Sequence, residues 1–96
     1  MIVAVAQFEF FMPFNQSLKE KRQILRKLKE RVSSKFDVRL SEVDHHEKWQ
    51  RASLGFALVG SDGKLLESII TKTFNFVDAL GLGEVREEFR DLIYYE

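Results

Sequence analysis

Glu84-Val85-Arg86-Glu87-Glu88-Phe89-Arg90-Asp91-Leu92-Ile93-Tyr94-Tyr95 reads two ways, and the fold turns on the choice. Val85, Phe89, Leu92 and Ile93 fit one side of a helix. Val85, Phe89, Ile93 and Tyr95 also fit one face of a strand that carries Glu87 and Asp91. The closing Ile-Tyr-Tyr has strand composition. The segment alone leaves the choice open, and the elements before it decide.

Residues 2–14 alternate. Ile2, Ala4, Ala6, Phe8, Phe10, Met12 and Phe14 form a uniformly apolar face. Val3, Val5, Gln7, Glu9, Phe11 and Pro13 form a mixed one. Period two predicts a long strand whose even face packs on helices. Ser17-Leu18-Lys19-Glu20 is a capping box. The Ser17 hydroxyl should accept the Glu20 N–H, and the Glu20 carboxylate should reach back to the Ser17 N–H. A helix follows to about Lys35, with Leu18, Ile24, Leu25, Leu28 and Val32 in one apolar sector.

Residues 36–44 predict a shorter strand, and residues 45–51 a loop or the end of a long hairpin. Over residues 52–59, Ala52, Leu54, Phe56 and Leu58 share one face, and Ser53, Gly55, Ala57 and Val59 the other. Residues 60–63 turn into a second helix over about 62–80. Its apolar side carries Leu65, Leu66, Ile69, Ile70, Thr73, Phe76, Val77 and Leu80, and Gly81 and Gly83 are stop signals. The order β-α-β-β-α leaves a half-finished split βαβ unit. A strand over 84–95 completes the ferredoxin-like βαββαβ plan. The expected fold is therefore α+β: a four-stranded antiparallel sheet with two helices on one face, in a single domain over 1–96.

Composition agrees. A chain of 96 residues with 45% hydrophobic residues and one proline builds one core. Without cysteine there is no disulfide scaffold, thiol nucleophile or thiolate metal site. No apolar run reaches the roughly 18 residues of a spanning helix. The opening MIVAVAQFEFF lacks the basic region and cleavage site of a signal peptide. A cytosolic location is the expectation.

Two segments are more specific than the rest. One is Ser17-Leu18-Lys19-Glu20-Lys21-Arg22. The other is Glu42-Val43-Asp44-His45, then Trp49-Gln50-Arg51-Ala52, then Leu54-Gly55. Together with an opening Met-Ile-Val and a length near one hundred, they resemble the YlxP-like family over nearly the whole chain. The resemblance implies a ferredoxin-like fold. It also implies a role near translation, because such proteins are commonly encoded beside initiation and ribosome-maturation factors. It implies no catalytic residues. His46 and Glu47 lie outside the motif.

The formal net charge is zero. It is unevenly spread, because residues 17–35 hold eight bases against Glu20 and Glu30, a net of +6. Lys19, Arg22, Arg26 and Lys29 are spaced i, i+3, i+7, i+10 on one stripe beside the apolar sector, with no acid inside it. Like charges at that spacing cost helix stability by a few tenths of a kcal/mol per pair. A phosphate backbone would reward them through counterion release. The competing reading is a solvated face balanced by acids of neighbouring elements or another subunit. Lys21 falls in the apolar sector. Snorkelling past the core edge is the favoured reading, and a cation delivered toward Glu42 or Asp44 the alternative.

The motif loop holds Glu42, Asp44, His45, Trp49, Gln50 and Arg51. Adjacent histidines in a strand point to opposite faces, so His45 and His46 do not predict a metal site, and no cofactor is expected. His45 is read as ordering the hairpin through Asp44 or a backbone group. Trp49 with Arg51 could stack a base and pair a phosphate. The favoured reading packs Trp49 over the end of the core and binds Arg51 to Asp44 or Glu42. Hydrolysis through Asp44 and His45 lacks a framed nucleophile. On the open sheet face, Val3, Val5, Ala57 and Val59 form an apolar strip that could pair two copies.

The expectation is a non-enzymatic RNA- or ribosome-associated factor. Lys19, Lys21, Arg22, Arg26 and Lys29 are its candidate contacts to ribosomal RNA or a ribosomal subunit. The alternatives are a homo-oligomeric interaction module and a small ligand-binding or enzymatic domain using Asp44, His45 and Arg51.

Overall fold

Ile2, Ala4, Ala6, Phe8 and Phe10 are buried along β1 (Ile2–Phe11), and the residues between them are half-buried. That is the signature of a strand with one face on a core. The computed structural model describes residues 1–96. After β1 come α1 (Leu18–Phe36), β2 (Ser41–Asp44), β3 (Arg51–Gly60), α2 (Gly63–Ala79) and β4 (Glu84–Tyr94). The strands form one antiparallel sheet in the order β2-β3-β1-β4. The tail is thus a strand, and the βαββαβ plan is complete.

Leu25, Leu28 and Val32 of α1 and Leu66, Ile70, Phe74 and Val77 of α2 share one core with the even residues of β1. Phe74 is its hub, edge-on to Phe8 at 5.3 Å and to Phe56 at 6.1 Å. The α2 sector predicted from sequence omitted Phe74 and included Leu65, which is 57% exposed. The buried stripe runs through Leu66, Ile70 and Val77 and is rotated toward Phe74. Asp62 caps this helix, its carboxylate accepting the N–H groups of Lys64 and Leu65.

Other departures have local causes. β1 ends at Phe11 because Pro13 enters a turn closed by Asn15 N–H to Met12 O, and Phe14 is left 91% exposed. Ser17 accepts the Glu20 N–H at 3.1 Å, while the Glu20 carboxylate takes the Gln16 N–H at 2.8 Å rather than that of Ser17. Phe36 closes α1, and Asp37 adopts the left-handed conformation (φ 55°) as its cap. Val38 and Leu40 are buried, but they join no strand; β2 pairs with β3 only through Ser41, Glu42 and Asp44.

A bulge in β4 opposite Gln7 and Phe8 leaves Glu88 as the extra residue. It flips the side-chain parity. Val85 therefore pairs with Phe10 on the helix side, whereas Phe89 and Ile93 pair with Gln7 and Val3 on the open side. The single face drawn through Val85, Phe89 and Ile93 is accordingly split. The Glu88 carboxylate spans β1, accepting from Gln7 Nε2 at 3.2 Å and Ser53 Oγ at 2.8 Å.

Candidate nucleic-acid interface

Lys21, Leu25, Leu28 and Val32 form the buried face of α1. Ile24 packs against the core on one flank, and at the C-terminal end Phe36 meets Phe76 of α2 edge-on at 5.4 Å. The opposite flank overlooks the β2 edge, where a groove of about 760 Å³ is lined by Lys29, Arg39, Ser41 and His46 together with Glu30, Asp37 and Glu42. Lys19, Arg22 and Arg26 are exposed on α1, and Lys29 is half-buried. None has an acidic partner, because the two side-chain ion pairs of the chain are Lys21–Glu42 and Arg90–Glu87. Glu30, Asp37 and Glu42 line the groove beside Lys29, but none of the four stripe cations is held in an ion pair, and unpaired cations in a row are the pattern that a polyanion satisfies.

Lys21 does not belong to that surface. It is 1% exposed and points into the molecule, so neither snorkelling nor RNA contact describes it. Its Nζ donates to His45 O at 2.7 Å and Lys48 O at 2.8 Å, and Glu42 Oε2 lies 2.8 Å away. That carboxylate oxygen is close to the ammonium without meeting hydrogen-bond geometry, so the contact is one of charge. A buried lysine needs this much compensation to remain charged. The alternative expectation, a cation sent toward Glu42, describes the geometry.

The motif loop is fastened on two sides. Lys21 holds its carbonyls from α1. Gln50 Nε2 donates to Pro13 O and Asn15 O, the Met12 N–H to Gln50 O, and Asn15 Nδ2 to Trp49 O. The hairpin bend itself is His45, left-handed at φ 63°, with its N–H bound to the Asp44 carboxylate at 2.7 Å. His45 thus orders the hairpin through its backbone. Two favoured expectations fail. Trp49 does not cover the core end but is 54% exposed. Arg51 pairs with neither Asp44 nor Glu42; it stands opposite Phe11 on the open sheet face, lining a groove with Phe11, Lys48 and Trp49. No three His, Asp or Glu side chains converge as a metal set would.

Sequence reasoning missed Arg39, Lys48 and Asn15. Arg39 was readable, because it falls between buried Val38 and Leu40 and so points outward. Asn15, only 5% exposed, had no local signal, since its partner Trp49 is 34 residues away.

The class is defined by this geometry: a ferredoxin-like α+β domain with an unpaired cationic flank on its first helix. Residues 3–88 match the family model described as "Protein of unknown function (DUF503)", and the chain belongs to that family. It is 35% identical over 78 residues to the uncharacterized protein YlxP of Bacillus subtilis (strain 168), covering 81% of this chain and 85% of that one. The solved structure described as "Structural Genomics, protein YJCS" has the same fold, with a TM-score of 0.54 at 14% identity over 100% of both chains. No helix is long and apolar enough to cross a membrane.

Proposed function

We propose that the protein is a non-enzymatic, cytosolic accessory factor that binds ribosomal RNA or a ribosomal subunit through the flank of α1. Lys19, Arg22, Arg26 and Lys29 contact phosphates, and Arg39, across the groove, extends the same surface. The observation that carries the reading is that all four stripe cations lack an acidic partner within the chain. A flank tuned for stability alone would intersperse acids. The translational setting implied by the resemblance points the same way. The test is co-sedimentation with ribosomal subunits and binding to structured ribosomal RNA. Wild type is compared with a variant carrying Gln at Lys19, Arg22, Arg26 and Lys29. Loss of binding in a folded variant is expected, and unchanged binding overturns the reading.

A second reading concerns the open sheet face. Val59, Ile93 and Met1 are 66%, 40% and 64% exposed, and with Val3 they crowd one end of that face. Glu9, Glu84, Arg51 and Arg86 occupy the other end. The occupant that fits is a second copy, stacked so that the apolar ends meet and the charged ends remain in water. The apolar half of the three long strands, about 17 Å by 14 Å, offers roughly 240 Å² of plan area. That is well below the ~800 Å² per partner of a standard interface and defines a weak, concentration-dependent dimer. Light scattering over a concentration series should show a dimer that Val59→Lys dissociates. A monomer at every concentration removes this reading.

A further inference from the structure

Trp49 is displayed rather than packed. Its neighbours are fastened: Gln50, next in sequence, is bonded through both side chain and backbone, and Asn15 Nδ2 lies 3.5 Å from the Trp49 carbonyl. Lys21 holds Lys48 O on the other side. Yet the indole stays 54% exposed. A mobile loop would let so large an apolar ring collapse onto the protein; this one is held outward. Beside it lies a groove of about 640 Å³ shared with Phe11, Lys48 and Arg51, with Glu47 its acid.

An aromatic face with a guanidinium and an ammonium at its margin is the chemistry that receives an unpaired base and its neighbouring phosphates. An apolar protein segment would need no cations there. The same loop carries His46 into the groove below the basic flank, while Trp49 borders the groove with Phe11 and Arg51, so the loop is the one element that lines both grooves.

We propose that Trp49 is a stacking platform for one unpaired RNA base, with Lys48 and Arg51 holding the phosphates on either side. The inference rests on the RNA reading of the α1 flank and adds that the RNA is single-stranded where it passes the motif loop. Preorganisation gives the site its worth, because little ordering is left to do on binding.

Trp49 is the one tryptophan of the chain, so its emission reports the site directly. The full chain is titrated with an unstructured oligouridylate and with a duplex of equal length. Saturable quenching by the single strand, and little by the duplex, is expected. Trp49→Ala, followed by a labelled RNA, should weaken single-strand binding roughly 5- to 150-fold, the worth of one stacked base. Its salt dependence should be unchanged, and Trp49→Phe should restore most of the affinity. Three results overturn the inference. RNA that binds through the α1 flank, with an unmoved emission and an unaffected Trp49→Ala, leaves the flank reading standing and removes the platform. Emission changed by intact subunits but by neither RNA assigns Trp49 to a ribosomal protein. Binding of neither RNA nor subunits removes both.

Discussion

Replacing Lys21 with alanine should be the costliest single change at a charged residue of α1. The substitution removes about three methylenes from a side chain that is 1% exposed. At ~0.8 kcal/mol each, packing alone accounts for about 2.4 kcal/mol. It also strips Lys48 O of its donor, leaves His45 O with only the Lys48 N–H, and leaves the Glu42 carboxylate without its cation. Breaking a fully buried pair costs about 3–5 kcal/mol. Glu42 is 18% exposed and can draw in water, so the polar share is smaller. A total loss of about 3–4 kcal/mol follows. For a domain of this size, that lowers the thermal midpoint by about 15 °C or more. Urea denaturation followed by circular dichroism measures it, with an unchanged m-value marking a native-state effect. Lys21→Met keeps most of the packing and isolates the charge, at about half the loss. Paired with Glu42→Gln in a double-mutant cycle, it should show coupling above about 1 kcal/mol. A loss below about 1 kcal/mol for Lys21→Ala would mean that the ammonium reaches water, and the account of the motif would be wrong.

Glu42→Gln should cost less than Lys21→Ala, about 1–2 kcal/mol, because the ammonium keeps its two carbonyls; chemical denaturation reads the difference. Gly83→Ala should destabilise by about 1–3 kcal/mol, since a Cβ there would lie 2.7 Å from Phe10 Cζ and 2.8 Å from Phe11 O. Ser17→Ala should cost about 1 kcal/mol through the lost cap on the Glu20 N–H. Phe14→Ser should shift stability by no more than about 0.5 kcal/mol, as the ring is 91% exposed, and a thermal melt checks it.

The sheet was legible because β1 and β3 alternate cleanly, and their register sets Val3 against Val59 and Phe10 against Ala52. β4 was legible only through topology. Its own pattern is broken by the bulge at Glu88, and no local residue announces that bulge. Val38 and Leu40 mimic a strand because extended backbone alternates whether or not it is paired. The basic flank was readable from spacing alone. Lys21 was not, because what compensates a buried ammonium is a set of carbonyls 24 and 27 residues onward. Trp49 failed for a related reason: its exposure is set by Asn15, Gln50 and Lys21 gripping the backbone around it, long-range contacts that propensity does not encode. Half of the motif is therefore architecture (Lys21, Glu42, Asp44, Gln50), and what that architecture presents is Trp49 and Arg51.

The central claim is that the unpaired flank of α1 neutralises RNA phosphates, and the salt dependence of ribosomal RNA binding tests it most directly. Each phosphate neutralised contributes about 0.7–0.9 to the slope of log K against log salt. Substituting Lys19, Arg22, Arg26 and Lys29 together with glutamine should lower the magnitude of that slope by about 3. An identical slope and affinity in wild type and variant would contradict the claim.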